Sequence, residues 1–121
     1  MDRDQFERLV AEALDNLPPE IQGYMENIAV TIADWPSPAE MTAVGQKSPY
    51  GLLGLYRGVP LTKRGRGYNM AIPDRIVIFQ RPIEAVAHSP DAIRERIRRT
   101  VVHEVAHHFG LDDANLAHLG Y

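Results

Sequence analysis

Between residues 3 and 17 the apolar positions Phe6, Leu9, Val10, Ala13, Leu14 and Leu17 recur at three- and four-residue intervals, which gathers them on one face of an α-helix. Asp2 and Asp4 suit the start of that helix, and Pro18-Pro19 ends it. Residues 20–26 predict a short second helix and the β-rich run 27–33 a first strand. The stretch 34–49 carries Pro36, Pro38, Pro49, Gly45 and Ser48 and reads as loop, with one helical turn near 39–43 and Trp35 as its anchor to the core. Two further β-like runs, 52–57 and 75–80, flank a segment rich in glycine, proline and basic residues, the pattern of a hairpin with a long loop. Ser89-Pro90-Asp91 opens a last helix: serine caps free amides, proline is tolerated in the first turn and aspartate suits the positive end of the dipole. That helix should run to Phe109, where Gly110 can take the left-handed conformation that stops it.

The last helix carries His103-Glu104-Val105-Ala106-His107-His108-Phe109-Gly110-Leu111-Asp112-Asp113. Histidines four apart lie about one turn apart on one helix face, so both imidazoles can reach a single cation, and Glu104 sits beside it. A cation held there lowers the pKa of water toward ~7, and the glutamate can take the proton. Gly110 permits a sharp turn, after which the Asp113 carboxylate can swing back as a third ligand. Two nitrogens, one oxygen and an open position describe a catalytic rather than a structural zinc site. A chance HExxH in a chain of this composition has a probability of roughly 1%, falling to about 10⁻⁴ once the glycine and aspartate are required. Val101 and Val105 lie nearly opposite the His103/His107 face, which is shared with Arg96, Arg99 and Thr100. His108 points elsewhere, toward Ile97 and Val101, as a packed, hydrogen-bonded histidine. Asp112 is either a partner of the ligands or an exposed turn residue, and His118 is read as surface.

Composition narrows the choices. A length of 121 residues with 45% hydrophobic and 24% charged residues suits one soluble domain spanning 1–121. Without cysteine there is no thiolate ligand, thiol nucleophile or disulfide, so any metal is held by His, Asp or Glu. A formal charge of -3 supplies no overall field for nucleic acid or an anionic membrane. No apolar run approaches the ~20 residues needed to cross a bilayer, which makes the cytoplasm the expected location. The basic run Lys63-Arg64-Gly65-Arg66-Gly67-Tyr68 is read as a solvated hairpin loop, with a mobile flap as the alternative. Arg94, Arg96, Arg98 and Arg99 are read as a solvated face, with Glu95 and Arg99 spaced for an ion pair.

His-Glu-x-x-His-x-x-Gly-x-x-Asp is the signature of the Asp-zincins, and the chain resembles the small bacterial single-domain zincin-like metallopeptidases, the mini-zincins. The resemblance rests on the N-terminal helix, the segments LLGLYRGVPLTKRG and PDRIVIFQRPIE, and the motif helix. It implies an α+β fold in which a small mixed sheet packs on the N-terminal helix and the HExxH helix. It also implies one Zn²⁺ per chain on His103, His107 and Asp113, with Glu104 as general base. A peptide or protein substrate would lie extended along an edge strand, for which 52–57 is the candidate by analogy. Two rivals stand beside this reading: a catalytically silent scaffold that binds a peptide or partner protein, and a zinc hydrolase of a non-peptide amide. The chain could act as a monomer or a homodimer. No Met-turn of the metzincin kind follows the motif, because Met1, Met25, Met41 and Met70 all precede it. Support from below falls to residues 112–121, with Leu116, Leu119 and Tyr121 as packing candidates and Tyr121 also able to hydrogen-bond to a ligand.

Overall fold

The computed structural model describes residues 1–58 and 73–118, with the backbone alone at Asp113, Asn115 and His118. Helix α1 (Arg3–Asp15) starts in a capping box: the Asp2 carboxylate accepts from the Gln5 N–H at 2.8 Å, and the Gln5 side chain accepts from the Asp2 N–H at 3.3 Å. Its buried face is Phe6, Leu9, Val10 and Ala13, the stripe the spacing predicts. The prolines end the helix before Leu17, which is nonetheless buried from the following turn. Helix α2 (Pro19–Tyr24) and a single 3-10 turn lead into β1 (Ile28–Ala33).

Helix α3 (Pro38–Ala43) is capped by Ser37, whose Oγ accepts from the Glu40 N–H at 3.1 Å. Trp35 does not anchor this loop to the core as expected: it is 42% exposed and meets Tyr50 edge-on, ring centres 5.1 Å apart, while Pro36 is the buried residue. A proline here buries apolar surface without an N–H to satisfy, whereas a buried indole needs an acceptor.

Strands β2 (Gly54–Arg57) and β3 (Asp74–Phe79) pair antiparallel as the hairpin pattern predicts, and β1 pairs with β3 in parallel, giving the order β1-β3-β2. The central strand is apolar on both sides, with Ile76, Val77, Ile78 and Phe79 all buried. Ile76 and Ile78 join the α1 face and the buried residues of the motif helix α5 (Pro90–Phe109) in one core. This mixed sheet on two helices is the expected α+β class.

One helix was not anticipated. β3 ends at Phe79, and Gln80 begins α4 (Gln80–Val86), with Pro82 tolerated because it falls in the first turn. Gln80 is fully buried but satisfied: its oxygen accepts from Arg3 Nε at 2.8 Å, and its amide donates to the Met1 carbonyl at 3.1 Å and to Glu84 at 3.3 Å. Arg3 also reaches the Ile32 carbonyl and Asp34, tying α1 to the end of β1.

Burial raises the Glu84 carboxyl, but hydrogen bonds from the N-terminal ammonium, Arg81 and Gln80 outweigh it and hold the group below the ordinary carboxylate value. A depressed folded-state pKa contributes stability above the unfolded value that is lost as pH falls through the folded one. Glu84→Gln should therefore lower the melting temperature at neutral pH and leave a shallower loss on acidification than in the parent. Equal slopes through the acid range would refute that role.

Candidate active site

Helix α5 runs from its Ser89 cap, whose Oγ accepts from the Ala92 N–H at 3.1 Å, to Gly110 at φ 72°. Its buried side is Ile93, Ile97, Val101, Val102, Val105 and Ala106, so the opposite face holds His103 and His107 exposed to solvent. Neither imidazole has a hydrogen-bond partner among the described residues, which leaves a ring nitrogen of each available as a ligand.

Glu104 lies between α5 and the sheet and accepts from the Tyr56 N–H of β2 at 2.9 Å. Burial pushes its carboxyl above the ordinary value, and the Tyr56 N–H, His107 and His103 draw it part of the way back. β2 is an edge strand, so alternate residues turn their backbone groups away from the sheet. Leu53 faces β3, its carbonyl accepting from the Phe79 N–H at 2.9 Å, which leaves the groups of Gly54 and Tyr56 facing outward, toward the motif helix. The two elements run alongside each other closely. A Cβ on Gly54 would lie 2.6 Å from Thr100 Cγ2 and 3.2 Å from the Val77 carbonyl oxygen, so only glycine fits.

A hollow opens on each side of this contact. One, of about 270 Å³, is lined by 51–54 and by Arg96, Arg99, Thr100, His103 and Glu104. The other, of about 520 Å³, is lined by residues that include Leu55, Tyr56, Glu104, His107 and His108. Glu104 borders both.

His108 does not bury itself against Ile97 and Val101. Its side chain is 40% exposed and stacks on the Tyr56 ring at 3.8 Å, the planes 13° apart. At the last turn of α5 that side of the helix meets β2 rather than the core. The Tyr56 hydroxyl donates to Asp74 Oδ2 at 2.6 Å, and His108 Nε2 stands 3.9 Å from the same oxygen. Tyr56 thus holds Glu104 with its backbone and His108 with its ring, a role that no spacing in the sequence reveals, because it depends on which edge of β2 faces α5.

After Gly110 the chain doubles back, the Leu111 N–H donating to the Ala106 carbonyl at 2.9 Å, and α6 begins at Asp113 (Asp113–His118). The Asp113 side chain lies outside the described residues, and among those residues no three His, Asp or Glu side chains converge on one point. Leu116 packs against the core, as expected of the tail; Leu119, Tyr121 and the His118 side chain lie outside the described residues, as does the run 63–68. Asp112 is exposed, its carbonyl accepting from the Leu116 N–H at 3.0 Å.

The family model for zincin-like metallopeptidases matches residues 25–121. The chain belongs to the zincin-like metallopeptidase family. The match begins after α2, so α1 and α2 precede the part of this zincin-like protein that the family model covers, although α1 supplies part of its core. A search of the curated proteins finds no match. Among the described residues no helix is long and apolar enough to cross a membrane.

The described residues of this family member supply two of the nitrogen donors that a zinc ion would take. Two imidazoles with no hydrogen-bond partner among the described residues share one exposed helix face, with a carboxylate fixed beside them by a backbone N–H. Gly110 is the joint at which the chain leaves the helix, and its positive φ costs a β-carbon-bearing residue about 1–2 kcal/mol. Gly110→Ala should lower stability by about that amount and weaken zinc binding, measured as the melting temperature with and without zinc. A variant matching the parent in both would show that the turn does not set the site.

Proposed function

We propose that this protein is a zinc-dependent peptidase in which His103, His107 and Asp113 hold one Zn²⁺ and Glu104 is the general base. The observation that carries the reading is the placement of Glu104: it stands beside the His103 and His107 imidazoles, oriented by the Tyr56 N–H. Zinc, when bound, supplies a Lewis acid that acidifies water and polarises a carbonyl. Glu104 takes the proton from the attacking water and returns it to the departing amide nitrogen, and burial favours the first half of that cycle by stabilising the protonated carboxyl. The outward backbone groups of Gly54 and the Tyr56 carbonyl give an extended peptide a strand edge to pair with, next to Glu104, which keeps the Tyr56 N–H. The stacked Tyr56–His108 pair walls one end of this groove.

The test is incubation of zinc-loaded protein with a pool of end-blocked peptides, followed by mass spectrometry of new termini. Cleavage that chelation abolishes and added zinc restores is expected. A loaded protein that binds peptides without cutting them would mean a silent scaffold, and one that cuts only non-peptide amides would mean a different hydrolase; either overturns the proposal.

A further inference from the structure

Three aliphatic side chains near the site are not accounted for by the core. In the run that leads into β2 and along it, Leu53 and Tyr56 pack against the core cluster, while Leu52 and Leu55 stay half-buried outside it. Val44, at the end of α3, is 46% exposed and takes no part in the core either. All three line one hollow, the one of about 520 Å³ that Glu104 and His107 border, and no lysine or arginine lines it among the described residues. A single exposed aliphatic residue is ordinary, but three that converge beside a carboxylate and an imidazole mark a place for an apolar ligand. The wall that carries Val44 is braced. Gly45 turns the chain at φ 72°, and the Gln46 N–H donates to the Met41 carbonyl at 2.9 Å. The Gln46 side chain then straps the following loop: its oxygen accepts from the Lys47 and Ser48 N–H groups at 3.2 and 3.4 Å, and its amide donates to the Gly51 carbonyl at 3.1 Å. A Cβ on Gly51 would lie 2.6 Å from Gln46 Cδ, so the strap lies directly against the backbone that leads to Leu52. Val44 and Leu52 are thereby held at the two ends of one closed loop, facing the motif helix across the hollow.

From this convergence we infer that the hollow is a specificity subsite, which takes a bulky apolar side chain of the substrate against Leu52, Leu55 and Val44, with Val44 setting its depth. The inference rests on the peptidase reading and adds a substrate class to it: peptides with a leucine-like residue next to the scissile bond. Such a side chain gains by leaving water against aliphatic walls, whereas a charged one would lose hydration there without a partner. Strand direction says which side of the bond it occupies. β2 passes Thr100 at Gly54, Glu104 at Tyr56 and His108 near Gly58, so it runs the same way as α5. A peptide paired antiparallel with β2, the more stable arrangement per residue, has its N-terminal half toward His108. The helix residues that border this hollow are Glu104, His107 and His108, whereas those of the other hollow lie between 96 and 104, so the apolar side chain precedes the scissile bond.

The experiment measures binding and cleavage separately. Zinc-loaded Glu104→Gln protein is titrated with end-blocked octapeptide pools in which one central position is fixed as Leu, Ala, Glu or Lys. We expect Leu to bind about tenfold more tightly than Ala at one position, and Glu and Lys no better than Ala. The margin should persist at ~1 M salt, where charge attraction is screened beyond about 3 Å. Adding Val44→Asp should abolish the advantage of Leu, and adding Val44→Trp, which fills the hollow, should transfer it to Ala. Because Val44 is largely exposed, both variants should melt within a few degrees of their parent, which thermal unfolding checks. Pools that bind alike or not at all, a preference that vanishes in salt, or one that both Val44 variants leave unmoved overturns the inference. The parent protein's cleavage of the same pools should leave Leu on the N-terminal side of the cut, and Leu enriched only on the C-terminal side overturns the assignment of this hollow. The two claims fail separately: Leu-selective binding without cleavage removes the peptidase reading alone, and cleavage indifferent to Leu removes this inference alone.

Discussion

Glu104→Gln should leave zinc affinity and fold intact and reduce peptide hydrolysis by about a thousandfold, within the ~10²–10⁴ that a positioned acid–base group contributes. The amide keeps the shape of the carboxylate, and its oxygen still accepts the Tyr56 N–H, so the strand contact at 2.9 Å survives. A half-buried carboxylate becomes neutral, so the melting temperature should hold or rise slightly. What disappears is the ability to take and return a proton. Hydrolysis and zinc binding measured on one preparation check this. A variant hydrolysing peptides at the parental rate would show that Glu104 is not the base, and loss of zinc together with activity would point to a ligand role instead.

The second large effect falls far from the site. Phe6 is fully buried on α1, in a helix that precedes the family match, and packs in the same core as Ile97, Val101 and Val105 of the motif helix. Phe6→Ala removes that ring and leaves a cavity, at a cost of about 3–5 kcal/mol. Total stability of a domain this size is about 5–15 kcal/mol, so the fraction folded at growth temperature becomes precarious. Urea unfolding should show the loss as a lower midpoint with little change in slope. The buried face of α5 positions the histidines on its opposite face, so zinc should recover part of the lost stability by binding only the folded form. A midpoint within experimental error of the parent would mean that α1 is an appendage and not part of the fold.

How much of this could be read from the residues differs element by element. α1 and α5 were legible because stripe, cap and stop agree: Asp2 and Ser89 bond as caps, Pro18 and Gly110 end the helices, and Gly110 takes the positive φ that its position called for. Local chemistry determines such features. The run 75–80 was legible as a strand but for its last residue, since Gln80 turns out to open α4, and a proline in a first turn leaves a pattern no different from a loop. Trp35 misled because size and hydrophobicity argue for burial, while the indole is left 42% exposed with the Tyr50 ring edge-on to it.

At the site, spacing along one helix was enough to place His103, Glu104 and His107 together. Nothing local could show that Tyr56 holds Glu104, that His108 stacks on Tyr56 or that Asp74 completes the cluster, because those contacts follow from β2 lying between β3 and α5. Arg96 shows the same limit from the other side. Four arginines within one stretch of helix look alike in sequence, and among the described residues Glu12, Asp91 and Glu95 pair with three of them and leave Arg96 aside.

The central claim is that His103 and His107 are metal ligands, and calorimetric titration of metal-free protein with zinc tests it most directly. The account predicts one site per chain, with proton release that falls as pH rises, and loss of that site in His103→Ala. Absence of binding, or binding that His103→Ala leaves unchanged, would contradict it.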